Sequence, residues 1–113
     1  MKFPAASELA QSYKLWALLK VETVSADKLI ATGAGYIFGL YLDADDGVAT
    51  AKILDGTSAE GRIINTLSCP TNQTDNHEPH VPIPFVRGLY IDIGENVLYA
   101  TVLYLLARDL DLE

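Results

Sequence analysis

Two short clusters gather side chains suited to metal or acid–base chemistry. The first is Asp43, Asp45 and Asp46 ahead of Gly47. Carboxylates on alternate loop residues are how EF-hand-type sites wrap calcium, with glycine at the sixth position and a glutamate at the twelfth. Counted from Asp43, the glycine arrives one residue early and Leu54 holds the twelfth place. Aspartate and glycine also accept turn dihedrals at low cost, so a tight turn accounts for the cluster. The second is His77-Glu78-Pro79-His80, with two imidazoles three residues apart. Zinc needs three or four ligands in tetrahedral array. Pro79 excludes a regular helix, the only nearby thiol is Cys69, and the segment reads as an exposed loop. Asp43 and Asp55 form a conceivable carboxylate pair, but nothing in the sequence brings them together. There is no Ser-centred nucleophile elbow and no glycine-rich phosphate loop. No catalytic, cofactor-binding or metal-ligating residue is assigned, and the chain is expected to be no enzyme.

Bulk composition narrows the partners. The 113 residues carry 8 Lys and Arg against 15 Asp and Glu, a net charge of −7. No basic cluster exists to neutralise a phosphate backbone or an anionic bilayer, which argues against nucleic acid and membrane surfaces. The N-terminal residues lack the apolar core of a signal peptide. No run reaches the roughly 18 apolar residues of a membrane span. Cys69 is the single cysteine, so an intramolecular disulfide is impossible and packing alone must hold the fold. The sequon Asn72-Gln73-Thr74 carries little weight without a secretory signal.

The elements that position these residues read as strands. Residues 1–11 are small, polar and interrupted by Pro4, the mark of an N-terminal arm. The stretch 13–24 has two readings. Ser7, Glu8, Leu9, Tyr13, Trp16 and Lys20 at helical spacing suit a helix opened by a Ser cap, while the β-rich Val21-Glu22-Thr23-Val24 favours a strand, the preferred reading. Lys28–Thr32 reads as a short strand. In Tyr36–Leu42 the alternation puts Tyr36, Phe38, Leu40 and Leu42 on one face, with Gly39 a place for a bulge. Val48–Leu54 places Ala49, Ala51 and Ile53 inward, with Thr50 and Lys52 outward. Arg62–Leu67 is a further strand, and 68–80 a polar loop. Val81–Ile93 and Val97–Ala107 read as strands joined by Gly94-Glu95-Asn96 in a hairpin. Residues 108–113 form an acidic tail, leaving 12–107 as one domain.

Strands at this spacing, with no helix between them, predict an all-β fold: an antiparallel β-sandwich of jelly-roll-like type. Val97–Leu106 is apolar on both faces, so it is either a central strand or a subunit interface. The candidate interface residues are Tyr90, Tyr99, Leu103, Tyr104 and Leu105. Tyrosines on strands also suit stacking on sugars, and Tyr41, Tyr90, Tyr99 and Tyr104 are the candidates for that use.

Three segments in this order, Leu29–Leu42, Ile53–Thr57 and Pro84–Ile91, resemble the small β-sandwich virion proteins of tailed bacteriophages, head decoration (cement) proteins among them. The resemblance spans roughly residues 25–105 and rests on turn-and-strand patterns. It implies a non-enzymatic virion protein on the capsid exterior, made in the host cytoplasm. It further implies a homo-oligomer, a trimer by preference, that clamps the major capsid protein. Tail and neck components share the sandwich, and a carbohydrate-binding or host-adhesion module is the alternative from another class. No cofactor is implied.

Overall fold

The computed structural model describes residues 17–79 and 81–110. Among the described residues nine strands follow one another: β1 (Lys20–Val24), β2 (Lys28–Thr32), β3 (Gly35–Ala44), β4 (Ala49–Asp55), β5 (Arg62–Cys69), β6 (Thr74–His77), β7 (Ile83–Phe85), β8 (Gly88–Ile93) and β9 (Val97–Leu106). A 3-10 turn at Ala107–Asp109 closes the series. The arm predicted at 1–11, the start of the strand predicted from 13, His80 and residues 111–113 lie outside the described residues.

The strands form two antiparallel sheets. The first runs β1-β9-β3-β6, with β7 pairing a second stretch of β3; the other runs β2-β8-β4-β5. Strands β6 and β7 pair with Leu40–Asp43 and Gly35–Ile37 respectively, so together they fill one lane of the first sheet. Four lanes per sheet, with nearly every connection passing from one sheet to the other, is the jelly-roll arrangement. The sandwich predicted from strand spacing is therefore present.

Its core is the facing apolar surface of both sheets. Ile37, Leu40, Leu42, Ile53, Phe85, Leu89, Ile91 and Val102 are each at most 1% exposed. Burying such a side chain stabilises the fold by about 1.5–3 kcal/mol. In β4 the inward Ala49, Ala51 and Ile53 alternate with outward Thr50 and Lys52, as the sequence pattern requires. At the edge where β1 and β2 face each other, Lys28 and Glu22 form an ion pair that ties the sheets together.

Five expectations are corrected. The segment 94–96 makes no hairpin, because β8 belongs to the second sheet and β9 to the first. The turn bonds sideways instead: Gly94 N donates to Thr50 O at 2.8 Å, and Asn96 takes the left-handed conformation at φ 61. The run Val81–Ile93 is not one strand, since the chain changes sheets at Val86–Arg87 between β7 and β8. The loop 68–80 contains the end of β5 and all of β6, an edge strand exposed along its whole length. Ala17 and Leu18 are helical and β1 begins only at Lys20, where β-branched residues take over from helix formers. In β3 the register shifts between Ile37 and Gly39. That bulge reverses the alternation, so Ile37 is buried with Leu40 and Leu42, while Tyr36 faces out at 39% exposed.

The sheet crossing at Val86–Arg87 leaves backbone N–H groups without a ladder partner. Asp55, the last residue of β4, supplies the acceptors. Its Oδ1 accepts from Arg87 N at 2.8 Å, Val86 N at 3.1 Å and, more weakly, Gly88 N at 3.4 Å. Arg62 Nη2 lies 3.6 Å from Oδ2. The carboxylate is 7% exposed. Burial pushes its pKa up, but the Arg87, Val86 and Gly88 amides and the Arg62 charge outweigh that, holding it below the usual carboxylate range.

Candidate functional site

The outward face of the first sheet carries a run of apolar and aromatic side chains. The pairing register builds it row by row. Val21 of β1 lies beside Leu103 of β9, which pairs with Gly39 of β3. The next row is Thr23, Thr101 and Tyr41, and beyond it Tyr99 lies opposite Asp43. Toward the other end, Leu105 pairs with Tyr36. Val21 is 64%, Tyr99 48% and Tyr36 39% exposed. Asp43 is the only charged residue in these rows.

Gly39 shapes the middle of this face. A Cβ there would lie 3.0 Å from the Tyr41 hydroxyl and 3.3–3.4 Å from its ring carbons. The Tyr41 ring therefore folds back over the glycine and lies along the sheet. Its hydroxyl donates to Glu78 Oε1 at 3.1 Å. Burial and then the Glu78 carboxylate push the Tyr41 pKa above its ordinary value. Thr23 and Thr101 hydroxyls bond at 3.0 Å across the β1–β9 pair.

The five candidate interface residues do not share one surface. Tyr99 and Leu103 lie on the face just described, and Leu105 shares it but is only 2% exposed. Tyr90 faces outward on the opposite sheet, between Leu29 and Leu54. Tyr104 points inward and belongs to the hydrophobic core. As a subunit contact or sugar platform in the single chain, Tyr104 is thus corrected: the inward row of β9, with Ala100, Val102 and Leu106, claims it. Burial and then the Glu22 charge raise its pKa. Tyr36 and Val21 were missed as surface candidates: a bulge in β3 reverses the phase that alternation assigns to Tyr36, and nothing in the short β1 segment singled out Val21.

The chemical candidates stay apart. Asp43 sits at the end of β3 opposite Tyr99, whereas Asp55 sits beside Leu89 at the far end of the sandwich. No group of three or more metal-ligating side chains forms among the described residues. His77 is exposed on the edge strand β6. Cys69 is buried, and its thiol donates to Gln73 O at 3.1 Å. On the outer face of the second sheet a shallow groove of about 260 Å³ is lined by Thr50, Lys52, Thr66, Asp92 and Glu95. Lys52 and Asp92 are cross-strand neighbours there. Compared with family models, curated proteins and solved structures, the chain has no match.

Proposed function

We propose that this chain is a structural protein of a tailed-phage virion, most concretely a head decoration protein on the capsid exterior. It would assemble as a homo-oligomer, a trimer by preference, and bridge neighbouring copies of the major capsid protein. The observation that carries this reading is the outward face of the first sheet. Val21, Tyr36, Tyr99 and Leu103 present an apolar and aromatic strip bordered by the carboxylates of Asp43 and Glu78. Monomers rarely leave such a strip uncovered, and aromatic residues are enriched at the centres of protein interfaces. A jelly roll is a rigid body of the kind used in capsid and lectin domains. Fold does not carry function by itself; the strip and the segment resemblance add to it.

The assembly is tested by sedimentation of the wild type against Leu103→Lys. The wild type should sediment as an oligomer and the variant as a folded monomer. A monomeric wild type at about 100 μM removes the clamp reading. Capsids with and without the protein should then differ in heat-induced DNA release, and equal release removes the stabilising role.

The same face supports a second reading, carbohydrate binding. Tyr41 lies flat over Gly39, and Tyr99 is on the same face with Asp43 and Glu78 alongside as acceptors. A glycan signal lost in Tyr99→Ala, together with a monomeric wild type, would favour it.

A further inference from the structure

At one end of the sandwich three of the connections between strands are locked together. Ala44 N donates to Gln73 O at 2.9 Å, Asn72 N to Asp45 O at 3.0 Å, and Asp45 N to Asn96 O at 2.8 Å. The Asn96 side chain also donates to Val48 O at 3.0 Å. These bonds join the β3–β4, β5–β6 and β8–β9 connections into one unit. Large apolar side chains nevertheless stand out from it: Val48 is 55% and Leu98 45% exposed, while Tyr99, 48% exposed, points from the other side of β9 onto the sheet face. Around them Asp45, Asp46, Asp75 and Glu95 are all exposed. Residues 43–48, 70–75 and 94–99 include no lysine or arginine. The basic residues Lys20, Arg62 and Arg108 lie at the opposite end, beside Tyr104, Asp55 and Thr32.

An apolar centre inside a rim of one charge sign selects its occupant by complementarity. The centre excludes water, while the rim steers the encounter and rejects acidic partners. Turns tied by backbone hydrogen bonds have already lost much of their freedom, so ordering them costs little on binding. We propose that this end docks a protein partner presenting an aliphatic side chain flanked by lysine or arginine. The proposal does not rest on the virion reading, because the surface differs from the sheet face and meets it only at Tyr99.

The test is an NMR titration of the ¹⁵N-labelled full chain with a blocked hexapeptide of alternating lysine and leucine, and in parallel with hexalysine. Shifts should concentrate at Asp45–Val48, Asn72–Thr74 and Glu95–Tyr99, with the leucine peptide binding at least about five-fold tighter than hexalysine. Raising salt from about 50 to about 300 mM should weaken binding about ten-fold. Val48→Ser combined with Leu98→Ser should remove the advantage of the leucine peptide and leave hexalysine binding unchanged. These positions are exposed, and an unchanged spectrum elsewhere verifies the fold. Equal binding of both peptides, no effect of the double variant, shifts centred on another surface, or no binding at millimolar peptide would each overturn the proposal. Sedimentation of Leu103→Lys reads the oligomer separately, so either idea fails without the other.

Discussion

The carboxylate of Asp55 carries the sharpest prediction about this fold. It accepts two well-formed backbone hydrogen bonds, from Arg87 and Val86, and a weaker one from Gly88. Hydrogen bonds to a charged group contribute about 1.5–3 kcal/mol each, and the low end suits the partly exposed crossing. Removing the acceptor in Asp55→Ala should therefore cost about 3–4 kcal/mol. Asp55→Asn keeps one carbonyl oxygen but loses the charge, and should cost about half as much. For a domain of this size the Ala variant should melt roughly 10–20 °C lower. The pH dependence is the stricter check. The folded-state pKa is below the ordinary carboxylate value, so the unfolded chain binds the proton more readily. The stability from Asp55 is fully present above the unfolded pKa, near 4, and is lost as pH falls through the folded value. Urea denaturation should thus find wild type and Asp55→Asn well separated at neutral pH and converging in acid. A gap that stays constant with pH, or Asp55→Asn matching wild type at neutral pH, would refute the argument.

Other outcomes follow from the packing. Tyr104→Ala should destabilise by about 3–5 kcal/mol in thermal or urea unfolding, because the side chain is 7% exposed within the core. Gly88→Ala should cost about 1–3 kcal/mol by the same measurement, since its Cβ would lie 2.7 Å from Gly56 O and 2.9 Å from Ala31 O, both backbone atoms. The Cys69 thiol is 0% exposed, so a thiol-reactive dye should label the native protein at the rate of unfolding and the denatured protein at once.

What the sequence disclosed was the alternation, wherever a strand keeps one phase and one sheet. In β4 the small residues Ala49 and Ala51 and the larger Ile53 alternate cleanly with Thr50 and Lys52, and the inward face follows directly. The two-sided apolar character of β9 marks a central strand: it lies between β1 and β3, with Val102 inward and Leu103 outward. Three features were hidden for physical reasons. The bulge near Gly39 reverses the phase within one strand, which a period-2 reading carries straight through. The sheet change at Val86–Arg87 interrupts an apolar run without a turn signal, because its stabilising partner Asp55 is remote in sequence. Strand β6 is exposed along its length, so Thr74-Asp75-Asn76-His77 carries no hydrophobic pattern. The surface candidates suffered from the same ambiguity. A tyrosine on a strand of unknown phase faces core or solvent with equal ease, and Tyr104 and Tyr99 ended on opposite sides of β9.

The place of β9 has a consequence for how the polypeptide matures. Among the described residues it is the last strand in the chain and yet lies inside the first sheet, flanked by β1 on one side and β3 on the other. During synthesis, β1 has no partner until residues 97–106 leave the ribosome. Its partners are far along the chain: Glu22 pairs with Val102, 80 positions later. Closure of such long loops is slow, and unpaired edges stay open meanwhile. The nascent chain should therefore depend on late zippering around residues 97–106, and a ribosome stalled before them should display an incomplete, aggregation-prone half-sandwich.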